Sequence, residues 1–234
     1  MTNLFMADIG ILQKNIDYVF KKPAFLAEAL THRSYLNEHP GEITSHNERL
    51  EFLGDAVLEL AITEELYGRF PQYEEGTLTS LRAALVNYQM LAVIARSLDV
   101  EQYLRLSRGE AKDTGRAREV ILANAMESII GAVYCDGGYA SAKAFILRAV
   151  APRLTEVLEK SLYKDPKSSL QEKIQAERKL TPTYRVLEEK GPDHDRVFVV
   201  GVYFGNEFIA KGSGQSKQDG EVEAARNALE LISK

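Results

Sequence analysis

The sequence predicts two modules in series: an all-helical domain over residues 5–160 and a small α-β-β-β-α unit over residues 165–234. Three observations predict it. From about Lys14 to Tyr163 the apolar residues recur at helical spacing. An Asp165-Pro166 pair then breaks the pattern. Beyond it come three runs rich in β-branched and aromatic residues, the composition of strands.

In chain order, the helical spacing is clearest in LAEAL (26–30), LEFLGDAVLEL (50–60), LTSLRAALVNYQMLAVIARSL (78–98) and EVILANAMESIIGAVYC (119–135). Turn signals separate these segments: His39-Pro40-Gly41, Pro71 before Gly76, Ser107 to Gly115, and Asp136-Gly137-Gly138. A short polar stretch, EKSLYKD, leads to a helix capped by Asp165 with Pro166 in its first turn. Relative motion of the two modules is expected from such a linker. Strands are predicted at 182–189, 196–204 and 207–214, and a last helix at 218–232.

The chain has 234 residues, 45% hydrophobic and 27% charged, the composition of a globular protein rather than a disordered one. No apolar run reaches bilayer length, and MTNLFMADIGILQKN lacks the succession of a signal peptide. A cytoplasmic address and no membrane partner are therefore expected. The single Cys135 excludes an intramolecular disulfide, and no Cys/His spacing suggests zinc. No small-molecule cofactor is expected either. The net charge is −5, with 18 Lys and Arg against 22 Asp and Glu up to residue 164, and 11 against 12 beyond it. Neither module is globally basic, so binding to nucleic acid would rest on local patches and on cations that mask carboxylates.

In NERLEFLGDAVLEL, Glu48, Glu51 and Asp55 are spaced i, i+3, i+7. At about 100° per residue they lie within about 60° of one another on one helix face. Leu50, Leu53, Val57 and Leu60 are expected on the opposite face, toward the core. On the helix near 119–135, Asn124 and Glu127 share a side with Ser128 and Gly131. If the two stripes face each other, up to four carboxylates and one amide oxygen converge. All-oxygen ligation suits Mg²⁺ or Mn²⁺ rather than zinc. Exposed helices are also often acidic on their solvent face, and spacing alone does not separate the two readings. Phe52, about 40° from Glu48 on the wheel and off the core side, asks for another apolar partner, in this chain or in a second copy.

HNERLEFLGDAVLEL at 46–60 resembles the signature segment of the bacterial ribonuclease III family. ALTHRSY (29–35), EGTLTSLRAALVN (75–87) and ESIIGAVYCDGG (127–138) are similar to other family segments, in the same order. The resemblance covers nearly the whole chain. It implies a homodimeric nuclease in which each subunit's acidic centre cuts one strand of double-stranded RNA, leaving 5′ phosphate and 3′ hydroxyl ends with short 3′ overhangs. Structured precursors such as ribosomal RNA would be the substrates. It assigns metal-ligand places to Glu51, Asp55, Asn124 and Glu127, with Asp55 and Glu127 nearest the reacting water. Glu48 and Glu75 become supporting carboxylates, and Phe52 the residue that enters a socket on the other subunit. Mg²⁺ is the implied cofactor, with Mn²⁺ as substitute. Two such metals about 4 Å apart can supply the activated water and offset the developing charge.

One residue departs from the family pattern: Asn124 stands where Asp is usual. It can be a tolerated variant that lowers metal affinity, an inactivating change, or the mark of a chain that binds duplex RNA with impaired catalysis. A purely structural helical dimer would leave the acidic stripes unexplained. The loop GEAKDTGRARE (109–119) offers Lys112, Arg116 and Arg118 as phosphate contacts, or is simply a solvated loop. Glu110 matches a family position without a firm role.

Residues 165–234 resemble a double-stranded RNA-binding domain, a module that reads A-form shape, 2′-hydroxyls and phosphates. The resemblance puts Ser168, Gln171 and Glu172 at one minor groove, His194 in the loop 191–194 at a second, and Lys217 at the phosphates between. Gln218 and Asp219 replace part of the usual basic run there. Weaker, more salt-sensitive binding is expected.

Overall fold

The computed structural model describes residues 2–39, 41, 45–163, 165–191 and 196–232, and side chains from residue 9 onward. The chain divides into two compact units, Met1–Tyr163 and Lys164–Lys234.

The first unit is helical throughout. Its helices are α1 (Thr2–Asn15), α2 (Pro23–Ala29), α3 (Arg33–Glu38), α4 (Glu48–Arg69), α5 (Glu75–Val86), α6 (Tyr88–Ser97) and α7 (Gly115–Glu159). α4 starts with Glu48 and Glu51 in its first turn and ends on Arg69, both favourable to the helix dipole. The apolar spacing over 78–98 runs through two helices, because Asn87 breaks it. Its backbone is extended, its side chain accepts from Met90 N at 2.9 Å to cap α6, and its amide donates to Ala83 and Ala84 at the end of α5. The expected turn at 136–138 is a break inside α7: Gly138 takes φ 74° and the helix resumes beyond it.

The core is gathered along α4 and α7, the most extensive helix contact in the unit. Leu58, Leu66, Leu122, Ile129 and Phe145 are fully buried. By length and composition alone α7 is apolar enough to cross a membrane, although no run of that length was expected. Most of that stretch is buried inside the fold, so its apolar side chains serve the core.

The second unit follows the expected α-β-β-β-α order. Asp165 accepts from Ser168 N at 3.0 Å to cap α8 (Pro166–Arg178). The strands β1 (Pro182–Lys190), β2 (Val197–Phe204) and β3 (Glu207–Gly214) form an antiparallel sheet in that order, and α9 (Lys217–Ile232) closes the unit. Leu187 is the extra residue of a bulge in β1. Of the alternate β2 residues, Val202 and Phe204 pack with Leu170 and Ile174 of α8 and Ala224, Ala225 and Ala228 of α9, and the buried Val200 lies beside Gly220 of α9. Both helices thus cover one face of the sheet.

Candidate active site

The acidic stripe of α4 does not face away from the core, as its pattern suggested. Leu50 and Val57 are buried, but Leu53 is only half-buried and Leu60 is 51% exposed, while Gly54, Leu58, Ala61 and Ile62 are buried. The buried arc is therefore rotated toward the carboxylates, and Glu51 lies along the edge of the contact with α7. Two glycines set that contact. A Cβ on Gly54 would overlap the Glu127 carbonyl, and one on Gly131 would overlap the Leu50 carbonyl. Backbone meets backbone at this crossing, so Asn124 and Glu127 on α7 come beside the stripe of α4.

The electrostatics report this convergence. Burial first, then Asp55 and Glu51, push the Glu127 carboxyl up to about 8. Burial, Glu48 and Asp55 raise Glu51 as well, and a hydrogen bond from Asn124 pulls the other way. Glu48 is the outlying member, facing Arg33 at 3.7 Å and His46 at 3.8 Å. The set is all oxygen donors and lacks a cation at its inner members, the chemistry a hard divalent ion would complement. Among the described residues, however, no three Asp, Glu, His or Cys side chains already stand at metal-ligand geometry. The convergence is therefore one of charge and helix placement.

Glu75 stands apart. It opens α5, accepts from Thr79 Oγ1 at 2.9 Å, and lines a cavity of about 440 Å³ with Thr63, Leu66, Tyr67, Tyr73 and Leu78. It is not among the charges that shift Glu51 or Glu127. Phe52 is 82% exposed and covers no helix of its own chain. The expected loop 109–119 ends at Gly115, where α7 begins: Lys112 is exposed, but Arg116 and Arg118 stand on the first turn of α7, Arg116 over the Tyr88 ring and Arg118 bound to Glu101 at 2.8 Å. Arg118 is thus a brace of the fold rather than a free phosphate contact.

In the second unit Gln171 and Glu172 are exposed on α8. Ser168 is exposed too, but its hydroxyl donates to Asp165 at 2.7 Å within the cap. His194 lies outside the described residues. Lys217 opens α9, 3.8 Å from Glu189 and over the Phe198 ring.

A family model described as Ribonuclease-III-like matches residues 22–154, and one described as Double-stranded RNA binding motif matches residues 166–232. This chain belongs to the ribonuclease III family. A protein named Ribonuclease 3 from Carboxydothermus hydrogenoformans is 46% identical over 221 residues, covering 94% of each chain. Another of that name from Sulfurovum is 41% identical over 229 residues, covering 98% of this chain and all of that one. The solved nuclease domain of ribonuclease III from Campylobacter jejuni, described for flexibility in a region involved in its dimer formation, superposes with a TM-score of 0.56 at 41% identity. It covers 61% of this chain and 95% of that one. With a nuclease domain and a duplex-RNA-binding motif both matched, this ribonuclease III is an endoribonuclease of double-stranded RNA.

Three features of this ribonuclease III were not read from its sequence. Ser128 is fully buried and its hydroxyl lies 3.2 Å from the Asn47 carbonyl and 2.7 Å from that of Asn124, tying the start of α4 to α7 beside the acids. Asp136 accepts from Tyr18 Oη and the backbone N–H groups of Lys21 and Lys22 at 2.8 to 2.9 Å, fastening the α1–α2 connection to α7. Burial opposes its charge, yet these donors hold its carboxyl below the ordinary value. Asp219 accepts from Ser216 N and Oγ and its own N–H donates to Ser216 Oγ, a reciprocal cap of α9. Ser-x-x-Asp before a helical run was the available signal for the last.

Proposed function

We propose that Glu51, Asp55, Asn124 and Glu127 form the cleavage centre of a Mg²⁺-dependent endonuclease, with Glu48 in support. The observation that carries it is the half-buried meeting of the two stripes at the Gly54–Gly131 crossing, with Glu127 pushed up to about 8. Carboxylates so placed are costly to keep ionised without a cation. The oxygens of Glu51, Asp55 and Glu127 and the Asn124 amide oxygen would hold the metal, with Mn²⁺ as a substitute. When bound, the metal supplies an activated water and offsets charge on the scissile phosphate. Asp55 and Glu127 orient the water and take up its proton. Asn124 spares the cluster one negative charge and hydrogen-bonds Glu51, so weaker metal affinity follows rather than loss of the site.

In this reading two copies pair through the exposed Phe52, each cutting one strand, and the products carry 5′ phosphate and 3′ hydroxyl ends with short 3′ overhangs. Glu75 acts from its cavity wall as a further carboxylate near the phosphate path. Gln171, Glu172 and Lys217 contact the duplex, with Ser168 and His194 beside them. Structured precursors such as ribosomal RNA, made in the cytoplasm, are the substrates, and the enzyme works there. The alternative, a duplex-binding chain with catalysis impaired by Asn124, finds no support in the relatives, which are named Ribonuclease 3.

The test is a long labelled duplex incubated in Mg²⁺ with the protein and with its Asn124→Asp variant. Cutting by both, with a lower Mg²⁺ requirement for the variant, is expected. Cutting by the variant alone would make this chain a duplex binder.

A further inference from the structure

The sheet of the second unit has helices on one face, and its other face carries residues that a solvated sheet does not need. On that face Leu187, Tyr203 and Phe208 close over Gly201, each with an atom 3.1 to 3.2 Å from where a Gly201 Cβ would stand. The absent side chain lets them settle against the backbone as one apolar platform. Phe208 is 50% exposed and Leu187 46% exposed. The Tyr203 and Phe208 rings meet edge to face at 5.5 Å, and the Arg185 guanidinium lies 4.8 Å above the Tyr203 ring.

The strand register puts two cations at the platform's centre. Arg185 on β1 and Lys211 on β3 both pair with Gly201, one on each side. Both are exposed, and neither forms an ion pair with an acid among the described residues. The nearby Glu188 is already matched by Lys190 at 2.8 Å. In a unit with 11 basic and 12 acidic residues this face keeps uncompensated positive charge beside exposed rings. Alternate strand positions put it on the side of the sheet away from the helices, so it is separate from the surface assigned to the duplex.

We propose that this face is a second RNA site, one that takes unpaired nucleotides of a single strand. A base stacks on the exposed Phe208 ring and the Arg185 guanidinium plane, and the adjoining phosphates meet Arg185 and Lys211. Stacking tolerates any base, because every base has a π-face, so the site has little sequence preference. Charge complementarity selects the occupant: two unmatched cations astride an aromatic platform suit a chain that alternates flat rings with anions. An acidic peptide with an apolar anchor shares part of this chemistry and is the competing occupant in the test. Loops, bulges and overhangs of a structured RNA would be held here while the module grips the paired part. The site needs no cleavage, so it stands even if the catalytic reading above fails.

The test uses the full-length protein and a fluorescently labelled twelve-nucleotide oligouridine, which cannot pair with itself, read by anisotropy across a salt series. A blunt RNA duplex measured in Ca²⁺ serves as the parallel probe. Two variants are compared: Phe208→Ser, and Arg185→Glu with Lys211→Glu. Each is expected to weaken oligouridine binding about tenfold or more while changing duplex binding less than about twofold. The charge variant should also lower the salt slope for oligouridine by about 1.4, at about 0.7 per phosphate contact. Oligouridine binding that is absent in the parent protein, or unchanged in both variants, overturns the proposal. Equal losses for oligouridine and duplex overturn it too, since they would mean one shared surface. Oligouridine displaced by a poly-glutamate peptide bearing one phenylalanine, at lower peptide than RNA concentration, would assign the face to protein instead.

Discussion

The two units handle charge in opposite ways. At the α4–α7 crossing, Glu51 and Glu127 are half-buried beside the exposed Asp55, and burial and like charge raise both carboxyls, Glu127 up to about 8. On the second unit many charged side chains stay exposed, and Glu172, Lys211 and Arg185 all face solvent. Chemistry resides where charge is desolvated, and recognition where it stays solvated. A desolvated charge is costly, fixed and reactive, whereas a solvated charge is cheap, interchangeable and sensitive to salt.

The sharpest way to break this contrast is Glu127→Gln, which keeps the shape of the side chain and removes its charge. Cleavage of duplex RNA is expected to fall on the order of 10³-fold or more, because a metal-binding and water-orienting oxygen is lost. Duplex binding in Ca²⁺ should hardly change, and above about pH 8, where the parent carboxyl ionises, the metal-free variant should melt higher than the parent as repulsion with Asp55 and Glu51 is relieved. A variant that still cuts near the parent rate would remove Glu127 from the centre. Next in size is Gly54→Ala. Its methyl group meets the Glu127 carbonyl, so about 1–3 kcal/mol of stability should be lost and the Mg²⁺ requirement should rise. Chemical denaturation and a Mg²⁺ titration of activity read the two effects. Unchanged values in both would show that the helices can part freely there.

Asp136→Asn tests the tie on α7 outside the acidic cluster. Its carboxyl is held low in the folded state, so the ionised form contributes stability above its unfolded value, and that contribution fades as pH falls through the folded one. The variant should be less stable by about 1 kcal/mol at neutral pH, because solvent screens part of the interaction of this partly exposed group. The gap between the two proteins should close in acid. A constant gap across the pH range would assign the loss to packing. The smallest effect belongs to the solvated side of the comparison. Lys217→Ala should weaken duplex binding only a few-fold and lower its salt slope by about 0.9, one phosphate contact, with Glu189 already competing for the ammonium.

The order and kind of elements were legible in the sequence because spacing and punctuation are local. Asp165-Pro166 did begin α8, the three strand runs became β1 to β3, and Phe52 stands off the core as its wheel position implied. The rotation of the buried arc on α4 was not legible. Leu60 sits where a single-helix wheel puts a core residue, but which arc is buried depends on α7, whose approach is set by Gly54 and Gly131 far apart in sequence. Asn87 was hidden inside an unbroken apolar rhythm because its capping bonds do not interrupt that rhythm. The capping role of Asp219, whose oxygen accepts from Ser216, was not drawn from its Ser-x-x-Asp spacing. Glu75, grouped with the other acids by resemblance, lies on a cavity between α4 and α5, a separation that only the packed helices reveal.

The glycine crossing also bears on how such a centre can diversify. Because peptide backbones rather than side chains set the distance between α4 and α7, residue 124 can change from carboxylate to carboxamide without the helices moving. In the proposed centre the scaffold is thereby uncoupled from the ligand set, so its appetite for metal would be retuned one side chain at a time within the same frame.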